Sequence, residues 1–305
     1  MESEKYLKKF FMRCISINLQ TRSIQTYEHT LRLFFSYIEE QQINDVADIT
    51  TDHIRMFLFY QRERVSKRTV RGYFATLSVF FKFLAKEKDI PENIMEDVEK
   101  PKLPDRKPRF FRNEEIKLLL DYFDKSTFLG YRNYMMMCFL FSTGVRLGEL
   151  SELYCNDIMF DMNLINIIGK GDKQRYVPIS PVLKKILQTY MKKRNEYIAE
   201  KKLLQSKYFL ISRTGGRLLQ SNIELIFLGI KKDNKINGKR FSAHTWRHTF
   251  AKNYILNGGD VFSLQKILGH SSLEITKQYC ELNDEDVKMQ NGKFNPLDNT
   301  RWQYY

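Results

Sequence analysis

The sequence predicts a mainly α-helical protein with one small antiparallel β-sheet: a helical amino-terminal domain followed by a mixed α/β domain. Three observations carry that expectation. Apolar residues recur at helical spacing over most of the 305 residues. One short stretch around residue 165 switches to strand character, and a proline-rich segment divides the chain near residue 104. The hydrophobic share, 43%, is that of an ordinary globular chain, and the length favours two domains.

Residues 1–98 read as helices. Between Ser23 and Glu40, the side chains of Ile24, Tyr27, Leu31, Phe34, Phe35 and Ile38 share one face, with Thr21 or Ser23 available as the cap. A further helix opens at Ser66 and carries Tyr73, Leu77, Phe80, Phe81 and Leu84 on its apolar side. Around its start lie Arg62, Arg64, Lys67, Arg68 and Arg71, which read either as a solvated charged face or as a patch that contacts phosphates. Residues 99–109 hold three prolines in eleven positions, which cannot continue a helix and suit an extended connector.

Both sides of the connector are basic. There are 20 cationic against 16 anionic residues before Phe110 and 30 against 20 after it, so +4 and +10 make up the formal +14. Two basic domains on a tether suit a clamp around a linear polyanion such as nucleic acid. Four separate cysteines (Cys14, Cys138, Cys155 and Cys280) form no disulfide framework or zinc module, which favours a reducing, cytoplasmic setting. The start of the chain has no secretory pattern, and the most apolar run, Tyr134–Phe141, is far shorter than the ~20 residues that span a bilayer. No membrane partner is expected.

In the second domain, residues 110–283, Asn113 with Glu114 and Glu115 suits a helix start, and an apolar helix follows over Tyr131–Ser142. Leu164, Ile165, Ile167 and Ile168 form a strand, Gly169-Lys170-Gly171-Asp172 turns, and Arg175–Pro178 returns as its hairpin partner. Gly144 breaks the apolar helix, which places Arg146 near the start of the next one, where a guanidinium can grip a phosphate. The plain alternative is an Arg146–Glu149 surface pair. Ser242 caps a helix on which His244 and Arg247 share a face, while Trp246, Phe250 and Tyr254 form an apolar stripe. Asn257-Gly258-Gly259 stops it. Val261–Leu268 makes a short helix ending at Gly269-His270, and Ser271 to Glu274 has capping-box spacing for a last helix that bears Tyr279.

Lys170 sits in no Walker-type loop, so a nucleotide site is unsupported. A metal hydrolase built on His244, His248 and His270 lacks the general-base glutamate, since Thr245 occupies its place.

Taken in order, TGVRLGEL, IIGKGDKQRYVPIS, HTWRH, LGHSS and Tyr279, nine residues after His270, resemble the active-site series of the tyrosine recombinases, the phage-integrase and Xer group. The resemblance implies a DNA-clamping first domain and a catalytic domain in which Arg146, Lys170, His244, Arg247 and His270 surround a DNA phosphate and Tyr279 is the nucleophile. It also implies double-stranded DNA with specific core sites, a tetramer of protomers on two sites, no cofactor and no metal, and a directionality factor as a possible partner. The tail, residues 284–305, is expected to dock on a neighbouring protomer. Its Phe294-Asn295-Pro296-Leu297 favours a mobile-element integrase. The alternatives are an Xer-type resolvase of chromosome or plasmid dimers, a type IB topoisomerase, and a non-catalytic DNA-binding relative.

Overall fold

Apolar spacing in the first hundred residues becomes four helices, α1 (Ser3–Ser16), α2 (Thr21–Glu40), α3 (Thr51–Arg64) and α4 (Lys67–Lys86). The structure, a computed structural model, describes residues 3–104, 109–169, 171–233, 241–270, 272–277 and 284–294. The chain divides into two compact units, Met1–Arg106 and Lys107–Tyr305. In the first, fully buried Phe10, Phe34, Phe57, Phe80 and Phe81 meet edge to face, with Phe10–Phe80 and Phe34–Phe57 centroids 5.3 and 5.2 Å apart. Such ring pairs add specificity to the area they bury.

Caps follow local chemistry. The Ser66 hydroxyl accepts from the Thr69 N–H, so α4 starts where the sequence places it. In α2 neither Thr21 nor Ser23 is the cap. The helix starts at Thr21 with Gln20 as its cap residue, and the Gln20 carbonyl accepts from Ser23 and Ile24, so both hydroxyl residues already lie inside the first turn. Arg62, Arg64, Lys67 and Arg68 are exposed at the adjoining ends of α3 and α4, and Arg71 is half-buried. The Arg64 guanidinium lies over the Tyr60 ring.

The second unit begins with α5 (Asn113–Asp121), where Asn113 is the first helical residue rather than the cap. The Glu115 carboxylate accepts from the Arg112 N–H and closes that end. Next come α6 (Phe128–Thr143) and α7 (Leu147–Glu152), and then a three-stranded antiparallel sheet of β1 (Ile158–Met159), β2 (Leu164–Ile168) and β3 (Gln174–Pro178) in that order. Ile165 pairs with Val177 and Ile167 with Arg175, so these four residues share the inner face. After the sheet lie α8 (Pro181–Glu200), α9 (Gln220–Lys232), α10 (Ala243–Leu256), α11 (Val261–Leu268), α12 (Leu273–Lys277) and α13 (Asp284–Phe294).

Helix α6 is the axle of this unit. Met135, Met136, Met137, Phe139 and Leu140 are all fully buried, as befits a helix that is apolar around its whole circumference. It packs on α8 and α10, and Trp246 of α10 is fully buried among Phe111, Phe141 and Phe241. The Thr249 hydroxyl accepts from the Phe111 N–H at 2.8 Å and fixes the chain as it enters the unit.

The described part of the tail, α13, packs on α10 of its own chain, and residues 295–305, with the Asn295-Pro296-Leu297 of the expected docking segment, lie outside the described residues. Lys252 of α10 pairs with Asp286 of α13 at 2.9 Å, and Gln290 donates to the Ile255 carbonyl at 2.8 Å. Helix α10 ends in carbonyls that lack intrahelical donors, and the polar face of α13 supplies them.

Candidate active site

Gly144 caps α6 in the left-handed conformation, with φ at +61°. A Cβ there would stand 2.4 Å from the Phe250 ring and 2.8 Å from Leu268, so both the backbone angle and the space require glycine. The turn delivers Arg146 to the cap position of α7. The Arg146–Glu149 pair that the spacing allows is present at 3.0 Å, but it is no simple surface pair. Glu149 is buried, whereas the Arg146 side chain stays 44% exposed and open to an incoming anion.

Burial alone raises the Glu149 pKa. The fork from Arg175 and the donors of Arg146 outweigh it and hold the carboxyl below its ordinary range. Arg175 donates from Nη1 and Nη2 to the two carboxylate oxygens at 2.9 and 2.7 Å, and from Nε to the Ile267 carbonyl at 2.8 Å.

Arg247 and His244 do not stand alike, although they share a helix face by spacing. His244 is exposed in the first turn of α10, while Arg247 is buried. The Arg247 guanidinium donates from Nη1 to the Gly144 carbonyl at 2.7 Å. From Nη2 it reaches the Leu268 carbonyl at 2.8 Å and His270 Nε2 at 2.7 Å. It therefore ties together the turn before Arg146, the end of α11 and the histidine after it.

A guanidinium has no acceptor, so His270 Nε2 accepts and the ring proton sits on Nδ1, facing the Thr276 hydroxyl at 2.8 Å. In this arrangement His270, one of the residues that the resemblance places around the phosphate, also orients Arg247. Nε2 committed to a guanidinium also makes a poor metal ligand. Among the described residues no three His, Cys, Asp or Glu side chains gather to hold a metal ion.

Burial first, then the charges of Arg247, Arg146 and Arg175, push the His270 pKa down to about 4. His248, half-buried, also falls to about 4, by its partial burial first and then by the charges of His244 and Arg247. The linkage has a definite sign. Native pKa values below the ordinary histidine value mean that the unfolded chain takes up protons first. Stability is therefore complete above about pH 6.5 and declines as pH falls towards about 4, with His270 contributing about 3 kcal/mol. Urea midpoints are expected to drop over that window, and His270→Gln, which keeps an acceptor for Arg247, to flatten the drop. An unchanged slope in the variant contradicts the assignment.

Gly269 ends α11 with φ at +65°, and a Cβ there would stand 2.9 Å from Arg175 Cδ. Lys170, Tyr279 and the Ser271 of the expected capping box lie outside the described residues. Of the six predicted catalytic positions, the structure connects Arg146, Arg247 and His270 and places His244 at the surface of the same unit. Glu149 and Arg175 were not identified as site residues from sequence. For Arg175 a signal was present: strand alternation puts it on the inner face with Val177, where a charged residue needs a partner.

Comparison with known proteins agrees with this layout. Residues 9–88 match the N-terminal SAM-like domain of phage integrases, and residues 109–286 match the phage integrase family itself. The tyrosine recombinase XerC of Anoxybacillus flavithermus is 30% identical over 292 residues, covering 94% of this chain and 97% of that protein. XerD of Listeria monocytogenes is 31% identical over 280 residues, covering 91% and 94%. A crystal structure of the XerH site-specific recombinase bound to palindromic difH substrate, a post-cleavage complex, shares the fold with a TM-score of 0.73 at 22% identity, over 90% of this chain and 80% of that one. With both halves matched in order and the arginine-histidine network assembled within the second unit, the chain belongs to the phage integrase family of tyrosine recombinases, which are site-specific DNA recombinases.

Proposed function

We propose that this protein is an Xer-type recombinase that cleaves and rejoins double-stranded DNA at specific core sites through a 3′-phosphotyrosyl intermediate. The observation that carries the proposal is the continuous network from Arg146 through Glu149, Arg175 and the end of α11 to Arg247 and His270, which concentrates fixed positive charge at one place. Relatives named XerC and XerD at about 30% identity along nearly the whole chain support the Xer alternative over the mobile-element integrase expected from the tail.

In this mechanism the Tyr279 phenolic oxygen attacks phosphorus and the 5′-oxygen leaves. A phosphodiester carries one negative charge and its pentacoordinate transition state more. Three guanidinium cations less the Glu149 carboxylate leave two positive charges, with His270 neutral at physiological pH. That charge is preorganised, so it stabilises the transition state without reorganisation. Arg146 and Arg247 bind the non-bridging oxygens, Lys170 protonates the departing 5′-oxygen, and His244 accepts the phenolic proton. The energy of the cleaved bond is kept in the phosphotyrosine, so religation needs no ATP. Arg62, Arg64, Lys67, Arg68 and Arg71 line the helical clamp, residues 1–98, and residues 99–109 connect it to the catalytic domain. Protomers assemble as a tetramer on two sites, with a directionality factor as a further partner.

Incubation with sheared DNA of its own host, followed by recovery of SDS-resistant complexes, is expected to return one recurring duplex with two inverted half-sites. Two marked copies of that duplex should exchange arms. A single chromosomal location and unresolved chromosome dimers after gene deletion support the Xer role, whereas recovery of the ends of a mobile element contradicts it. Relaxation of supercoils without any exchange contradicts recombination itself.

A further inference from the structure

Arg175 occupies an inward position of β3, opposite fully buried Ile167, where strand alternation calls for an apolar side chain. An arginine there is costly unless its donors are met. Both Nη atoms fork onto Glu149, and Nε donates to the Ile267 carbonyl at 2.8 Å. The side chain is only 11% exposed. A direct hold on DNA is therefore a poor account of it.

What lies at the far ends of these bonds gives Arg175 its meaning. The Glu149 carboxylate also accepts from the Arg146 backbone N–H at 2.8 Å and from Arg146 Nη1 at 3.0 Å. Ile267 immediately precedes Leu268, whose carbonyl accepts from Arg247, and Gly269 closes against the Arg175 side chain before the chain reaches His270. One guanidinium thus joins the hairpin to the two backbone turns that present Arg146 and His270.

We propose that Arg175 is a positioning residue that fixes Arg146, through Glu149, and the Gly269–His270 turn, through Ile267, in a single arrangement around the scissile phosphate. The proposal rests on the reading of Arg146 as a phosphate clamp. Its logic is one of charge as well as geometry. Glu149 shared between two guanidinium groups holds Arg146 at 3.0 Å by one Nη while Arg175 takes the bidentate position. Without Arg175 the buried carboxylate turns to Arg146 for its full compensation and draws it away from the phosphate. Lysine keeps the charge but not the planar fork with its third donor, so it cannot replace arginine at this position.

The test is single-turnover cleavage of a nicked suicide duplex at saturating protein, with DNA binding followed by mobility shift and folding by thermal melts. Arg175→Ala and Arg175→Lys are each expected to slow cleavage about 100-fold or more, with DNA affinity within about threefold of the parent. The double variant Arg146→Ala/Arg175→Ala is expected to cleave well above the product of the two single defects, because the part of the Arg175 defect that acts through Glu149 is already lost with Arg146 while the part that acts through the Gly269–His270 turn remains. A purely structural role multiplies the two defects instead and overturns the proposal, as does near-normal cleavage by Arg175→Ala. Should Arg175→Ala fail to fold, Arg175→Lys paired with Arg146→Ala gives the same reading. If Arg146→Ala itself cleaves normally, it is the clamp that fails; if Arg146→Ala is inactive and both Arg175 variants are active, the clamp stands and Arg175 positions nothing.

Discussion

Tyr279→Phe is expected to bind a cognate site like the parent protein and to form no covalent adduct on a nicked suicide substrate. The substitution removes one oxygen atom, and that atom is the proposed nucleophile. A phenol has an ordinary pKa of about 10, so attack at neutral pH needs both a proton acceptor and a phosphorus whose charge is already compensated. The network around Arg146, Arg247 and His270 supplies the compensation, yet without the oxygen no covalent step is left for it to assist. The loss is therefore expected to be complete rather than graded, while salt-sensitive binding persists because phosphate neutralisation by the basic surface is untouched. Residual adduct formation by the variant at even a few per cent of the parental rate assigns the nucleophile elsewhere.

Arg247→Ala is expected to combine the largest loss of stability with a cleavage defect of about 10³-fold. The guanidinium makes three buried hydrogen bonds, to Gly144, Leu268 and His270. Its removal leaves two carbonyls and a ring nitrogen without their donor, at about 1–3 kcal/mol each. Losses of that size are a large part of the ~5–15 kcal/mol that holds a domain folded. Thermal melts should shift down by many degrees, and cleavage assayed well below the new midpoint should remain poor. Arg247→Lys should recover part of the stability and little of the rate, since one ammonium cannot serve three acceptors fixed in different directions. Near-parental cleavage by Arg247→Ala in its folded state contradicts the clamp.

Much of the fold could be read from local patterns. The α4 start at Ser66, the α10 start at Ser242, the glycine ends of α6 and α11 and the hairpin all follow from capping and turn chemistry that operates within a few residues. The start of α2 was misplaced, and the cap residue of α5, Arg112, was not foreseen although its first helical residue Asn113 was, for the same reason. Gln20 supplies only a carbonyl and Arg112 only an N–H that Glu115 accepts, and neither residue type announces a cap.

The candidate site was legible as a set of segments rather than as a geometry. Motif order selected Arg146, His244, Arg247 and His270, but spacing on one helix said nothing about depth, and so it grouped exposed His244 with buried Arg247. The acceptor role of His270 depends on a partner 23 residues away in sequence, and the Glu149–Arg175 fork joins residues 26 apart. No local rule reaches across such separations. The resting place of α13 on α10 is hidden in the same way, because Lys252–Asp286 and Gln290–Ile255 are pairings that only the folded chain brings about.

The central claim is that one phenol attacks a phosphorus held by this cationic network, and the location of the covalent bond tests it most directly. The parent protein is trapped on a suicide duplex, digested with nuclease and trypsin, and the nucleotide-bearing peptide is sequenced by mass spectrometry. The account predicts a phosphonucleotide on Tyr279 within peptide 278–288, linked to a DNA 3′ end and leaving a free 5′-hydroxyl. A nucleotide on any other residue, or a link to a DNA 5′ end, contradicts it.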